Sequence, residues 1–273
     1  MMLAPGASTT RAWAPGPSQP LPAVDDRLVA PEARAEIVDG IVHRTMGSNQ
    51  PHGTRHFAAT HVFAGALADG YEGAVDMLTR ADEDTDAAPD ISIFPSGTDP
   101  STGGRKLEEI AFEVLDSERL GHATTKVEKF AARGIRRLFA IRVAQRKVYE
   151  WDHAHGDWTE LDEGASITDR CFRVPIPVAA LVDRGLADDT VAKALLAAKN
   201  RVIEAALQSR RQEGRQEGEL IAARELVLAA LEARGEVTEA QRARVASCGD
   251  AGQLRAWLLR AVAGDDAGVI LGR

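Results

Sequence analysis

Two acids sit where a sheet could bring them together. Asp90 opens the short apolar run "PDISIFP", and Glu113 lies inside "EIAFEVLDSER", 23 positions later. Carboxylates on neighbouring strands can converge on one hard cation, and Mg²⁺ accepts one or two of them while keeping several waters. Spacing alone also allows Asp90 to cap a turn and Glu113 to face solvent. Alternation argues further: with Phe112 and Val114 on one face, Glu113 shares the other with Ala111 and Leu115. A carboxylate flanked by apolar groups either holds its proton or finds a cation.

The helix expected after about His122 and ending at Gly134 supplies a positive charge. At 100° per residue, Ala123, Val127, Phe130 and Ala131 form its apolar stripe, and Lys126 falls at the stripe's edge, able to reach back to the sheet. His122, Lys129 and Arg133 lie nearer solvent on the same side. That basic face could touch phosphates, or it could be an ordinary amphipathic surface with Lys126 extended along it.

Other candidates are weaker. His52, His56 and His61 lie four and five apart, but no partner follows at zinc-ligand spacing, so a zinc site is not expected. His56, near a helix start, would cap it or line a cleft. His153 and His155 fall in a turn, "GGRK" lacks the length and ending of a phosphate loop, and Ser117 has no nucleophile-elbow setting. Cys171 and Cys248 read as apolar thiols rather than a disulfide framework.

The elements that must position these groups follow from local pattern. "AEIVDGIVHRTM" carries Asp39-Gly40 between two apolar runs, the signature of a tight β-hairpin, with Glu36 on its first strand. "GTRHFAATHVFAGALADG" predicts a helix with Thr54 as N-cap and Gly70 as its stop. "GAVDMLTRA" and "PDISIFP" read as strands separated by an acidic loop, "DEDTDAA". "RRLFAIRV", "RKVYEWD" and "DWTELD" read as three further strands. One crossover helix between "AFEVL" and "LFAIRV" makes those strands parallel neighbours, so the expected class is α/β, a mixed sheet flanked by helices.

Composition bounds the rest. The chain has 273 residues, 44% of them hydrophobic, enough for a core and an appendage. Net charge is −8, which disfavours nucleic-acid attraction by the chain as a whole, yet the basic residues concentrate between Gly104 and Glu150. No apolar stretch is long enough to span a bilayer, and the opening residues lack the pattern of a secretory signal, so a cytoplasmic, non-membrane protein is expected. The expected organisation is a Pro- and Gly-rich arm over 1–22, an α/β domain over 23–185, a helical linker over 186–218 containing "QSRRQEGRQEGE", and an all-α module over 219–273. A module that small has little core of its own, which makes a homo-oligomer through the C-terminal helices a reasonable expectation.

In order and spacing, "EIVDG", His56, "PDISIF", "FEVLDS" and "KVEKFAARGIRRLFAI" resemble the Uma-two family of restriction endonuclease-like proteins, within the PD-(D/E)XK nuclease superfamily, over about residues 28–180. The resemblance implies a restriction-endonuclease-like core. It further implies metal-dependent phosphodiester hydrolysis, with Asp90 and Glu113 holding Mg²⁺ or Mn²⁺, Lys126 as the catalytic lysine, and Glu36 supporting them. Lys129 and Arg133 become nucleic-acid contacts, and DNA ranks ahead of RNA as substrate. One departure matters: the family pattern would place lysine at 115, where this chain has Leu115. The competing expectation is an inactive nuclease-fold protein that binds nucleic acid or assembles. The tail resembles, less closely, a helical module of nuclease- and transposase-associated bacterial proteins.

Overall fold

The computed structural model describes residues 23–24, 35–44, 49–116 and 120–272. The arm expected over 1–22 and Ser117 lie outside them. The chain forms two compact units, residues 1–198 and 199–273.

The first unit is mixed α/β. Strands β1 (Ala35–Val38) and β2 (Ile41–Arg44) form the expected hairpin, with Asp39 and Gly40 at φ 51° and 73°. Two successive left-handed residues give a type I′ turn, whose twist matches that of the strands it joins. Helix α1 (Gln50–Ala66) follows, then β3 (Tyr71–Val75), β4 (Thr79–Asp82), β5 (Thr85–Ala87), β6 (Ile91–Pro95) and β7 (Ile110–Leu115). Helix α2 (Leu120–Arg133) crosses over to β8 (Arg137–Arg142), followed by β9 (Lys147–Asp152), β10 (Asp157–Glu160), the short pair β11 (Ser166–Ile167) and β12 (Ile176–Pro177), and helix α3 (Arg184–Ala197).

Six strands form one sheet in the order β10-β9-β8-β7-β6-β3, with β7 and β8 parallel and the other pairs antiparallel. The parallel pair follows from the single helical crossover between them. A second sheet, β2-β1-β5-β4, is antiparallel throughout.

Helices cover both faces of the larger sheet. On one side Ala59, Val62, Phe63 and Ala66 of α1 pack on Ile91, Ile93, Phe112 and Val114, with Ala187 and Ala194 of α3 in the same core. Phe63, Phe112 and Phe139 stack within it, ring centroids 4.2 and 4.8 Å apart. On the other side Val127 and Phe130 of α2 pack on Ala111 and Leu138. The alternation along β7 is therefore the expected one. Helix α2 ends as expected at Gly134, φ 113°, where the Ile135 amide donates back to the Phe130 carbonyl.

Three local expectations change. The cap of α1 is Asn49 rather than Thr54: its side chain accepts from the His52 amide, and Pro51 in the first turn needs no hydrogen-bond partner. The acidic loop "DEDTDAA" contains β5, because its Thr85-Asp86-Ala87 segment pairs with both β1 and β4 and is buried throughout. Helix α3 belongs to the first unit, which runs past 185 to 198; the approach to α1 is close enough that a Cβ on Gly65 would meet Val191 at 2.9 Å.

The second unit is all-α: α4 (Arg201–Glu232), α5 (Glu239–Ser247), α6 (Ala251–Ala263) and α7 (Ala267–Leu271). The polar run "QSRRQEGRQEGE" is helical, an exposed part of the 32-residue α4. Its C-terminal part carries Val227 and Leu231 into a core with Val245, Leu254, Trp257 and Ala261. Thr238 and Gln241 form a reciprocal capping box at the start of α5. Among the described residues no helix is long and apolar enough to cross a membrane.

Candidate active site

The register Ile91↔Phe112 and Ser92↔Ala111 between β6 and β7, continued by one residue, sets Asp90 opposite Glu113. Antiparallel partners share a face, so both acids arrive at one place by sheet geometry. The Asp90 carboxylate reaches across the pair, its Oδ2 accepting from the Val114 amide at 2.5 Å. Glu113 is 6% exposed, although it is an acid in an otherwise apolar strand.

Lys126 projects from α2 onto the same spot. Its Nζ lies 2.8 Å from Glu113 Oε2 and 3.3 Å from Glu36 Oε1, and it donates to the Ala88 carbonyl at 2.9 Å. Glu36 Oε1 also accepts from the Ala88 amide at 2.7 Å, which ties β1 to the approach to β6. Thus Asp90, Glu113, Lys126 and Glu36 line one cleft of roughly 500 Å³, together with His52 and Thr125.

Among the described residues the electrostatics are unbalanced, since three carboxylates face one ammonium. Burial pushes the Glu113 carboxyl up to about 8; the Lys126 ammonium pulls against this, and the charges of Asp90 and Glu36 add to it. Lys126 is itself held above the ordinary lysine range: burial works to lower it, but Glu113, Glu36 and Asp90 outweigh that effect. Among the described residues the second Glu113 oxygen, Oε1, is buried without a hydrogen-bond partner. An orphaned carboxylate oxygen beside a second carboxylate is a donor set suited to a hard divalent cation.

His56 bonds the Asp90 main chain but is not among the residues that line the cleft. Its Nε2 lies 2.6 Å from the Asp90 carbonyl oxygen, so this nitrogen carries the proton and donates. His61 turns elsewhere, 3.6 Å from Asp188. Lys129 pairs with Asp39 and, at 2.9 Å, with Asp82, which anchors α2 to the smaller sheet. Arg133 is partly buried, and burial, the largest influence on it, lowers its affinity for a proton. Neither of these two side chains lines the cleft.

His52, His43 and Thr125 line the cleft and had no such role in the sequence reading. The signal for His43 was available in part, because a tight hairpin turn at Asp39-Gly40 sets it opposite Glu36. His52 depended on where α1 begins. Asn49 decides that: its Oδ1 caps the helix while its Nδ2 donates to Asp116 Oδ2 at 2.9 Å, so the start of α1 is pinned to the end of β7.

Fold and site together define an α/β protein whose mixed sheet presents a buried Glu–Lys pair and a second acid to a common cleft. No protein-family model and no curated protein matches the chain. Among solved structures the chain is similar to one described as "a putative nuclease belonging to DUF820 from Anabaena variabilis ATCC 29413", at 12% identity and a TM-score of 0.46, over 57% of this chain and 92% of that one. A likeness that distant carries no function across.

Proposed function

We propose that the chain is a metal-dependent nuclease of restriction-endonuclease-like fold that hydrolyses phosphodiester bonds, with DNA as the substrate. The observation that carries this reading is the buried Glu113 carboxylate, set opposite Asp90 by strand register, with one oxygen on Lys126 and the other without a partner among the described residues. A Mg²⁺ or Mn²⁺ ion held by Asp90 and Glu113 would supply Lewis acidity to the scissile phosphate and to its attacking water. Lys126 neutralises charge that develops on the phosphoryl oxygens, and its bond to the Ala88 carbonyl keeps it aimed at the acids. Glu36 positions Lys126 from the opposite wall. Leu115 occupies the place of the family's lysine at 5% exposure, and Lys126 reaches the same carboxylate from the following helix instead.

A second reading, an inactive nuclease-like protein that binds nucleic acid or assembles, draws support from Leu115, an apolar side chain where the resembled family has lysine, and from the net charge of −8. Cleavage of single- and double-stranded DNA and RNA with Mg²⁺ or Mn²⁺ separates the two. Cleavage by the parent chain that disappears in Asp90→Ala and Glu113→Gln supports the first; activity that survives either substitution removes this site from consideration.

A further inference from the structure

The expectation that the α1 histidines lack a third ligand changes once the strands are in place. His52 and His56 are four apart on α1, the spacing that puts two imidazoles on one helix face. Asp90, the residue before β6, comes close to both. Its Oδ1 lies 3.7 Å from His52 Nε2, and one ligand atom from each of the three residues falls within 4.8 Å of the others. Atoms bound to a common ion at about 2.1 Å lie roughly 3 to 4 Å apart, so small rotamer changes close the set.

Four further features fit a site rather than a chance cluster. The His56 ring is held by the donation of its Nε2–H to the Asp90 carbonyl, and a turn of the ring would bring in Nδ1, the nitrogen that keeps its lone pair. The two rings stand perpendicular, centroids 5.9 Å apart, and do not stack on each other. The His52 and Asp90 side chains are 19% and 17% exposed, sheltered yet open to the cleft. Asp90 has one oxygen toward the Val114 amide beside Glu113 and the other toward His52.

We propose that His52, His56 and Asp90 form a second cation position that selects a transition ion, Mn²⁺, Co²⁺ or Zn²⁺, over Mg²⁺. Imidazole nitrogen favours these borderline ions, whereas Mg²⁺ prefers an all-oxygen shell. The position rests on the hydrolytic reading only for its use in catalysis, since Asp90 would be shared with the Glu113 side; its existence does not depend on nuclease activity.

Co²⁺ is a suitable probe because its visible spectrum reports nitrogen ligation independently of turnover. Titration of the full chain should give one Co²⁺ equivalent with bands of a nitrogen- and oxygen-ligated ion, resistant to excess Mg²⁺. His52→Ala removes a ligand and should weaken binding by more than the roughly 10- to 100-fold that loss of a group supporting a ligand costs, and His52→Gln, close in size, repeats the test if the alanine variant does not fold by circular dichroism. Glu113→Gln should keep the bands. A spectrum unchanged in both His52 variants, or no Co²⁺ bound to the folded parent chain at millimolar concentration, overturns the proposal. Bands that depend on His52 in a chain that cleaves no nucleic acid uphold it and sink the hydrolytic reading.

Discussion

Lys126 Nζ lies 2.8 Å from Glu113 Oε2, joining the middle of α2 to the middle of β7 across the layer between helix and sheet. A half-turn shift of α2 would break this pair, and Gly134 and the Lys129 pairings hold that register. Substituting Lys126 with Met, which preserves length but removes charge, should reduce cleavage by roughly 10² to 10³-fold. It leaves Glu113 buried without a counter-charge, so the variant should favour protonated Glu113 and bind Mn²⁺ more weakly in calorimetry. Wild-type turnover in Lys126→Met would exclude a role for this ammonium.

Glu113→Gln tests chemistry against stability. Burial penalises the charged form of Glu113, holding its carboxyl near 8, so a neutral amide of the same shape removes a cost at alkaline pH. Because the folded chain binds a proton there that the unfolded chain has lost, stability from this group falls as pH rises from about 4.5 toward 8. The expected result is a Glu113→Gln variant that melts no lower than the parent at pH 8 yet does not cleave. A large fall in melting temperature would show the carboxylate to be structural.

Asn49 performs two tasks, capping α1 and bonding Asp116. Asn49→Ala should cost about 1 kcal/mol from the lost cap. Asn49→Asp keeps the cap oxygen but sets a second carboxylate against Asp116, so it too should destabilise, and Asp116→Asn should restore it. Urea denaturation of the parent, Asn49→Asp, Asp116→Asn and the double variant measures this, and additivity of the two single changes would dismiss the contact.

Asp169 sits between Arg136 and Arg137 at 2.8 and 3.2 Å. Burial alone would raise its carboxyl, but the Arg136 hydrogen bonds and the Cys171 amide hold it well below the ordinary range. A depressed acid contributes stability above its unfolded pKa, near 4, that is lost as pH falls through the folded value. Asp169→Asn should therefore lower stability at pH 7 by about 2 kcal/mol, a figure reduced for the partial exposure of Arg136, and lose less than the parent on acidification to pH 2. Parallel acid limbs for the two proteins would contradict this.

The Cys171 thiol is fully buried, and burial together with Asp169 pushes it up to about 12. Thiolate is the reactive form, so Cys171 should resist a disulfide reagent at pH 8 in the native chain and react only in denaturant. Cys248, partly exposed, should be the native thiol that reacts. Two thiols titrating at equal rates without denaturant would contradict the packing around Cys171.

Local pattern determined much of this protein. Alternation along β7 placed Glu113 on the face away from Phe112, Asp39-Gly40 set the hairpin, the apolar stripe of α2 left Lys126 at its edge, and one crossover made β7 and β8 parallel; each follows from element order or from the pattern within a turn, a strand or a helix. Tertiary structure decided the rest. Asp86 entered a strand because β1 and β4 were there to pair with it, and Lys129 turned to Asp39 and Asp82 once α2 lay against the smaller sheet. His52 met Asp90 because Asn49 fixed the start of α1 against Asp116. Charges along a chain specify neither partner nor direction; strand register and helix placement across distant segments select which carboxylate each cation meets.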